Sequence, residues 1–266
     1  MSAGERLGGM AARLWLAVVL GFLLLPIVNV VAVSFTASVV FDLPTRGLSL
    51  RWYARLWQLD SFWHSYFNSL RISALATLIA LVLGVLCAVA VARGRFPGRA
   101  AIATFVVSPL MLPGLVVGIA LLQSLRLVGI YDAFAGLVLA NVVVTIPFVT
   151  RSVLASLSLF DFTLIEAART LGCSPQRALL TVLAPNIAPG VLAGGLFAFI
   201  TSFDNYAVAI FLTDARTKTL PIQMLNYIDE APDPSMAAIS TVLVLMTVAI
   251  LLVCDRVVGL RRMAAT

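Results

Sequence analysis

Two short stretches hold the side chains best placed to do chemistry. Thr201-Ser202-Phe203-Asp204-Asn205-Tyr206 sets a carboxylate inside an apolar run. An acid at membrane depth is costly, and by default it marks a pathway or a paired site. Such a carboxylate could attract a cation; it could equally cap a broken helix or pair with an arginine of another chain. The second stretch, Glu166-Ala167-Ala168-Arg169-Thr170-Leu171-Gly172 followed by Ser174-Pro175 and later Pro185, is a polar island between apolar segments. Its chemistry is that of a docking surface. Bond-making chemistry is poorly served elsewhere. Lys218 is the one lysine and no glycine loop precedes it, so a phosphate-cradling P-loop is excluded. His64 is the one histidine, which rules out H-E-x-x-H and multi-histidine zinc sites. Beside Trp63, Tyr66 and Phe67 it reads as an interfacial residue. No G-x-S-x-G elbow is present, and Cys87, Cys173 and Cys254 are too scattered for a disulfide framework or a metal site. The chain is expected not to be an enzyme and to hold no metal or cofactor of its own.

The elements that position these residues follow from composition. Of 266 residues 61% are hydrophobic and only 11% charged, and mean hydropathy is +1.06. So few charges cannot cover a water-facing surface, which places the chain in a bilayer among lipid. The net charge of +6 then reflects arginines flanking spans rather than nucleic-acid binding. Six stretches are long enough to cross: Leu14–Phe35, Phe67–Ala92, Ala100–Leu122, Ala133–Val153, Ile187–Leu212 and Met236–Val258, each near the roughly 20 residues a span requires. The first is longer than a signal-peptide core and lacks a small-x-small cleavage site, so it reads as a retained span. With the N-terminus inside, 11 of the 18 basic residues (Arg6, Arg13, Arg93, Arg95, Arg99, Arg151, Arg169, Arg177, Arg256, Arg261, Arg262) share that side. Both termini are therefore expected to be cytoplasmic. On the opposite side, the rings of Trp52, Tyr53, Trp57 and Trp63 suit an amphipathic element at the interface. No internal repeat or separate soluble domain stands out, so residues 1–266 read as a single transmembrane domain.

The polar island at 157–185 reads as two short helices meeting at a bend. Thr163 and Glu166 have the spacing of a capping box, and Gly172 is placed to stop the first helix in a left-handed turn. Ser174-Pro175 starts a second helix, serine as cap and proline in the first turn, and Pro185 is expected to end it. Arg169 and the small Ala167 and Ala168 would be exposed to a partner. An ordinary amphipathic connector satisfies the same pattern.

Resemblance bears on that choice. Glu166-Ala167-Ala168, Gly172 and Val182-Leu183-Ala184-Pro185 resemble the E-A-A-x-x-x-G loop of the permease subunits of binding-protein-dependent ABC importers, with residues 66–258 forming the core permease region. The resemblance implies an all-α integral membrane protein: six transmembrane helices in the type I ABC importer permease fold, with a cytoplasmic coupling helix. It implies that Glu166, Ala167, Ala168, Arg169, Leu171, Gly172 and Pro185 make the joint with an ATPase subunit, which itself holds ATP and Mg. The other partners implied are a second permease chain, identical or homologous, and a periplasmic solute-binding protein, all at the bacterial inner membrane. Ser202-Phe203-Asp204, with Phe211-Leu212-Thr213 and Leu220-Pro221 after it, is similar to the spermidine/putrescine branch; it departs from that branch at Asn205, where a second acid is common. The solute path is accordingly expected to include Ser202, Phe203, Asp204, Asn205 and Tyr206, with Asn141 and Thr145 of the fourth span. Pro109 and Pro113 should kink the third span, while Gly114/Gly118 and Gly190/Gly194 should allow close helix packing. A secondary transporter driven by an ion gradient is the rival class, but it would be expected to show more intramembrane charges and paired broken helices.

Overall fold

The computed structural model describes residues 3–39, 47–230 and 233–258. Asp42, Arg46, Arg261 and Arg262 lie outside the described residues, as do the side chains of Arg6, Cys254 and Arg256. The described chain is helical, with an isolated antiparallel bridge between Thr36 and Leu48. It divides into two compact units: residues 1–60 with 226–266, and residues 61–225.

In the first unit, α1 (Ala3–Ser34) packs along α12 (Ser235–Val258), and the short α2 (Arg51–Leu56) packs on α12 as well. Trp52 departs from the expectation of an interfacial ring. It is buried, its indole N–H donates to the Thr36 carbonyl at 2.9 Å, and the Arg51 guanidinium lies 4.4 Å over its ring. A buried indole needs such a partner, and the cation completes its cover. Trp57, beyond the end of α2, is exposed and fits the expectation. Asp233 closes this unit: it accepts from the Ser235 amide at 2.9 Å, from the Tyr227 hydroxyl at 3.1 Å, and pairs with Arg55 at 3.4 Å.

The second unit contains α3 (Asp60–Arg93), α4 (Arg99–Val107), α5 (Gly114–Leu127), α6 (Ala133–Leu157), α7 (Thr163–Thr170), α8 (Pro175–Ala178), α9 (Ala184–Phe203) and α10 (Tyr206–Leu212). The helix α11 (Leu220–Glu230) begins in it. Four helical segments among the described residues are long and apolar enough to cross a membrane: Ala12–Ser34, Asp60–Arg93, Ala133–Leu157 and Pro175–Phe203. Ser235–Ile250 is a shorter apolar helix. The third expected span is broken rather than kinked: Arg99–Met111 and Gly114–Leu127 meet at 110°. Two prolines explain the sharper turn. Pro109 sits in a 3-10 turn (Ser108–Met111), and Leu112, ahead of Pro113, is forced to extended backbone (φ −97°, ψ 145°).

Both glycine pairs act in packing, as expected. A methyl group at Gly118 would fall 2.9 Å from the Ala207 carbonyl oxygen, so α5 and α10 are nearly in backbone contact there. At Gly190 it would fall 2.6 Å from the Ser152 carbonyl, and at Gly194 2.9 Å from the Val149 Cα, which seats α9 directly on α6. Gly190→Leu is therefore expected to part α6 from α9 and cut the yield of folded protein from membranes at least severalfold, since overpacking typically costs about 1–3 kcal/mol. Gly21→Leu, where no atom lies within 4 Å, is the control that should change nothing; solubilised yield and melting midpoint check both.

Candidate functional site

The polar island is built on α6 and α9. Ile165 of α7 is buried in a cluster with Val149, Val153 and Leu157 of α6, Ala178 of α8, and Leu183 and Ile187 beyond it. That single isoleucine plants the short helix on the bundle, leaving Glu166, Ala167 and Arg169 exposed. Ala168 is half-buried against the cluster and so faces inward more than expected. Leu164 and Leu171, exposed by 49% and 88%, add an apolar component to the free face.

The start of α7 differs from the capping box. Thr163 is the first helical residue, not the cap, and no side chain caps at Phe162. Asp161 takes that part instead, accepting from the Thr163 amide at 2.9 Å. The Thr163 amide and hydroxyl together hold the Asp161 carboxyl below the usual carboxylate range. Because its folded-state value is depressed, the stabilisation is fully present above the ordinary carboxylate pKa of about 4 and is lost as pH falls through the lowered value. Asp161→Ala is expected to speed amide exchange of the first turn of α7 about two- to fivefold at neutral pH, leaving exchange in α6 unchanged.

The bend itself is as expected. Gly172 has φ +89°; its amide donates to the Arg169 carbonyl at 3.0 Å and the Cys173 amide to the Ala168 carbonyl at 3.0 Å, the paired bonds of a Schellman stop. Ser174 caps α8, accepting from the Arg177 amide at 3.4 Å, with Pro175 in the first turn. Pro185 does not end the second helix, contrary to expectation. The chain runs helically from Pro175 to Phe203 through a π turn at Leu179–Leu183, in which the Ala184 amide donates to the Leu179 carbonyl five residues back. Pro185 then falls in the first turn of α9, where it is tolerated, and the widened turn gives its ring room against the preceding coil.

At the other end of the second unit the fifth span breaks at Asp204-Asn205, between α9 and α10. Asn205 caps α10, its Oδ1 accepting from the Val208 amide at 3.2 Å, and its Nδ2 donates to Asn141 Oδ1 at 2.9 Å. Asn141 Nδ2 donates to the Leu137 carbonyl at 2.8 Å, and Thr145 Oγ1 to the Asn141 carbonyl at 2.7 Å. Asn141 and Thr145 are both buried, so the structure brings the fourth-span polar pair to the fifth-span break. Asp204 is exposed, and its carboxylate makes no hydrogen bond or ion pair with any described residue. Ser202 is buried with its hydroxyl unpartnered among the described residues. Phe203 stacks on Phe199 (5.9 Å between centroids) and meets Tyr66 of α3 edge-on at 6.1 Å.

The surroundings of His64, near this same end, were not legible in the sequence. His64 Nε2 lies 2.9 Å from the Arg216 carbonyl, Asn68 donates to the carbonyls of Arg216 and Lys218 at 3.2 and 3.3 Å, and Ser69 Oγ accepts from the Leu220 amide at 2.7 Å. Three residues of α3 thus clamp the strap between α10 and α11. Within the strap Asp214 accepts from the amides of Arg216 and Thr217 at 2.9 and 2.7 Å, and the Thr217 hydroxyl and amide lower its carboxyl pKa. Asp214 two residues before Arg216 is an Asx-turn spacing that the sequence does display; the clamp itself is not local.

Residues 80–260 match the family described as binding-protein-dependent transport system inner membrane components. The spermidine/putrescine transport system permease protein PotC of Haemophilus influenzae is 30% identical over 233 residues, 88% of this chain and 90% of that one. The molybdenum transport system permease protein ModB of Escherichia coli is 33% identical over 195 residues, 67% of this chain and 85% of that one. A bacterial ABC transporter involved in import of the polysaccharide alginate contains a chain of the same fold (TM-score 0.71, 19% identity, 97% of this chain and 98% of that one). This chain belongs to the binding-protein-dependent inner-membrane permeases, as a transport subunit rather than an enzyme.

Proposed function

We propose that this permease imports a polyamine such as putrescine or spermidine across the bacterial inner membrane by alternating access driven by ATP. The observation that carries this reading is the Asp204 carboxylate, exposed at the break of a span and without a partner among the described residues. An unpaired carboxylate at such a break attracts an ammonium group electrostatically. Likeness to a spermidine/putrescine permease over 88% of the chain supports the same solute class.

The exposed face of α7, with Glu166, Arg169, Leu171 and the Gly172 bend, docks in an ATPase subunit on the cytoplasmic side. That subunit holds ATP and Mg. Planting α7 on α6 and α9 through Ile165 lets its displacement move the spans that flank the solute path. A second permease chain completes the path, and a periplasmic binding protein delivers the solute; the termini of this chain are cytoplasmic.

The experiment is uptake of labelled putrescine and spermidine in the native host with and without the gene. Loss of uptake, restored by the wild-type gene, supports the polyamine reading. Unchanged uptake removes it and moves the search to amino-acid derivatives and metal chelates, with the molybdenum in the name of the ModB relative as a further candidate.

A further inference from the structure

We propose that the Asn141–Asn205 amide bridge is the joint that fixes the break of the fifth span, and that its one-way polarity requires an amide at position 205. This role rests on the proposed solute path in one respect only, that Asp204 is the group held in place.

The polarity is set at both ends by backbone groups. The Leu137 carbonyl can only accept, so Asn141 must turn its Nδ2 toward it and its Oδ1 toward α10. The Val208 amide can only donate, so Asn205 must turn its Oδ1 toward it and its Nδ2 toward α6. The two side chains then meet donor to acceptor at 2.9 Å. Neither amide can flip without setting like groups face to face. Asn141 is 2% exposed, and water cannot repair a mismatch there.

A carboxylate at 205 accepts at both oxygens. It can cap α10, but it turns an acceptor toward Asn141 Oδ1 and the bridge is lost. The Asn205 side chain is thus committed to structure at both polar ends. Asn141 and Asn205 are therefore positioning residues. Of the polar side chains expected on the path, Asp204 stands out as the charged one left without a partner among the described residues. The bridge holds it by fixing its neighbour on a helix 64 positions away in sequence.

The test is a double-variant cycle in the assembled transporter, with its ATPase subunits and second permease in nanodiscs. The readouts are ATP hydrolysis stimulated by the cognate binding protein and the melting midpoint. Asn141→Ala and Asn205→Ala are each expected to lower stimulated hydrolysis about tenfold and to lower the midpoint. The double variant should be within about twofold of the worse single, because both remove the same bridge. Asn205→Asp, which keeps the side chain's shape and the α10 cap and so guards against simple misfolding, should lose the bridge and lower stimulated hydrolysis at least severalfold. Losses that multiply in the double variant, or an Asn205→Asp transporter equal to wild type, would overturn the proposal. The melting midpoint is independent of solute identity, so failure of putrescine to be transported would sink the polyamine reading and leave the bridge standing.

Discussion

Replacing Gly172 with tryptophan is expected to leave the protein in the membrane at normal levels while uptake falls at least tenfold and ATP hydrolysis loses its dependence on loaded binding protein. Two effects are separable at this position. Gly172 has φ +89°, where a side chain is strained whatever the space, by about 1–2 kcal/mol. Around it, however, no atom of this chain lies within 4 Å of where a methyl group would stand, so bulk meets nothing internal. Asparagine, which tolerates left-handed backbone, should therefore keep the Schellman stop and retain most coupling. Tryptophan bears the backbone strain in full and adds a large ring to the docking face beside the exposed Leu171. Glu166→Lys reverses a charge on that face and should behave like tryptophan, with normal membrane insertion. Paired uptake and hydrolysis measurements decide the matter. Normal uptake in the tryptophan or lysine variant, or equal losses for asparagine and tryptophan, would remove the coupling role from this surface.

The parts of this architecture legible in the sequence are those set by neighbours a few residues apart. The left-handed stop at Gly172 and the Ser174-Pro175 start follow from local hydrogen-bond chemistry, and both form as expected. The capping box failed for an equally local reason: Asp161, two residues ahead of Thr163, takes the Thr163 amide that the box would have given to Glu166. Pro185 was legible as a disturbance but not as a π turn, because whether a helix stops or widens depends on what its far side packs against. Here Leu183 and Ile187, on either side of the proline, are both buried in the cluster on α6, and continuing the helix keeps them there. The third span shows the same limit, since paired prolines announce a bend without its angle. The Asn141–Asn205 bridge and the His64 clamp join positions 64 and 152 apart. Each of those residues has an unremarkable local context, so nothing near it in sequence names its partner.

Asp204→Ala is expected to lower uptake roughly ten- to a hundredfold without disturbing assembly with the ATPase or the second permease. The outcome depends on which residue holds the break together. A capping aspartate would be lost with its helix end, but the cap of α10 is Asn205, and Asp204 contributes its backbone alone: its amide donates to the Ile200 carbonyl at 3.1 Å and its carbonyl accepts from the Tyr206 amide at 2.9 Å. Removing the carboxylate therefore breaks no hydrogen bond within the described chain. On the proposed polyamine reading, what is lost is a contact to a cation in the path, and a hydrogen bond to a charged group contributes about 1.5–3 kcal/mol, or roughly ten- to a hundredfold. Asp204→Asn keeps the shape and loses the charge, so for a cationic solute it should fall close to alanine, while Asp204→Glu should recover part of the uptake. If the carboxylate instead pairs with an arginine of the second permease, alanine would release that arginine and the complex would come apart on purification. Co-purification of the partner subunits beside the uptake assay separates the two: an intact complex with low uptake places Asp204 on the path, and a dissociated one makes it a structural contact between chains.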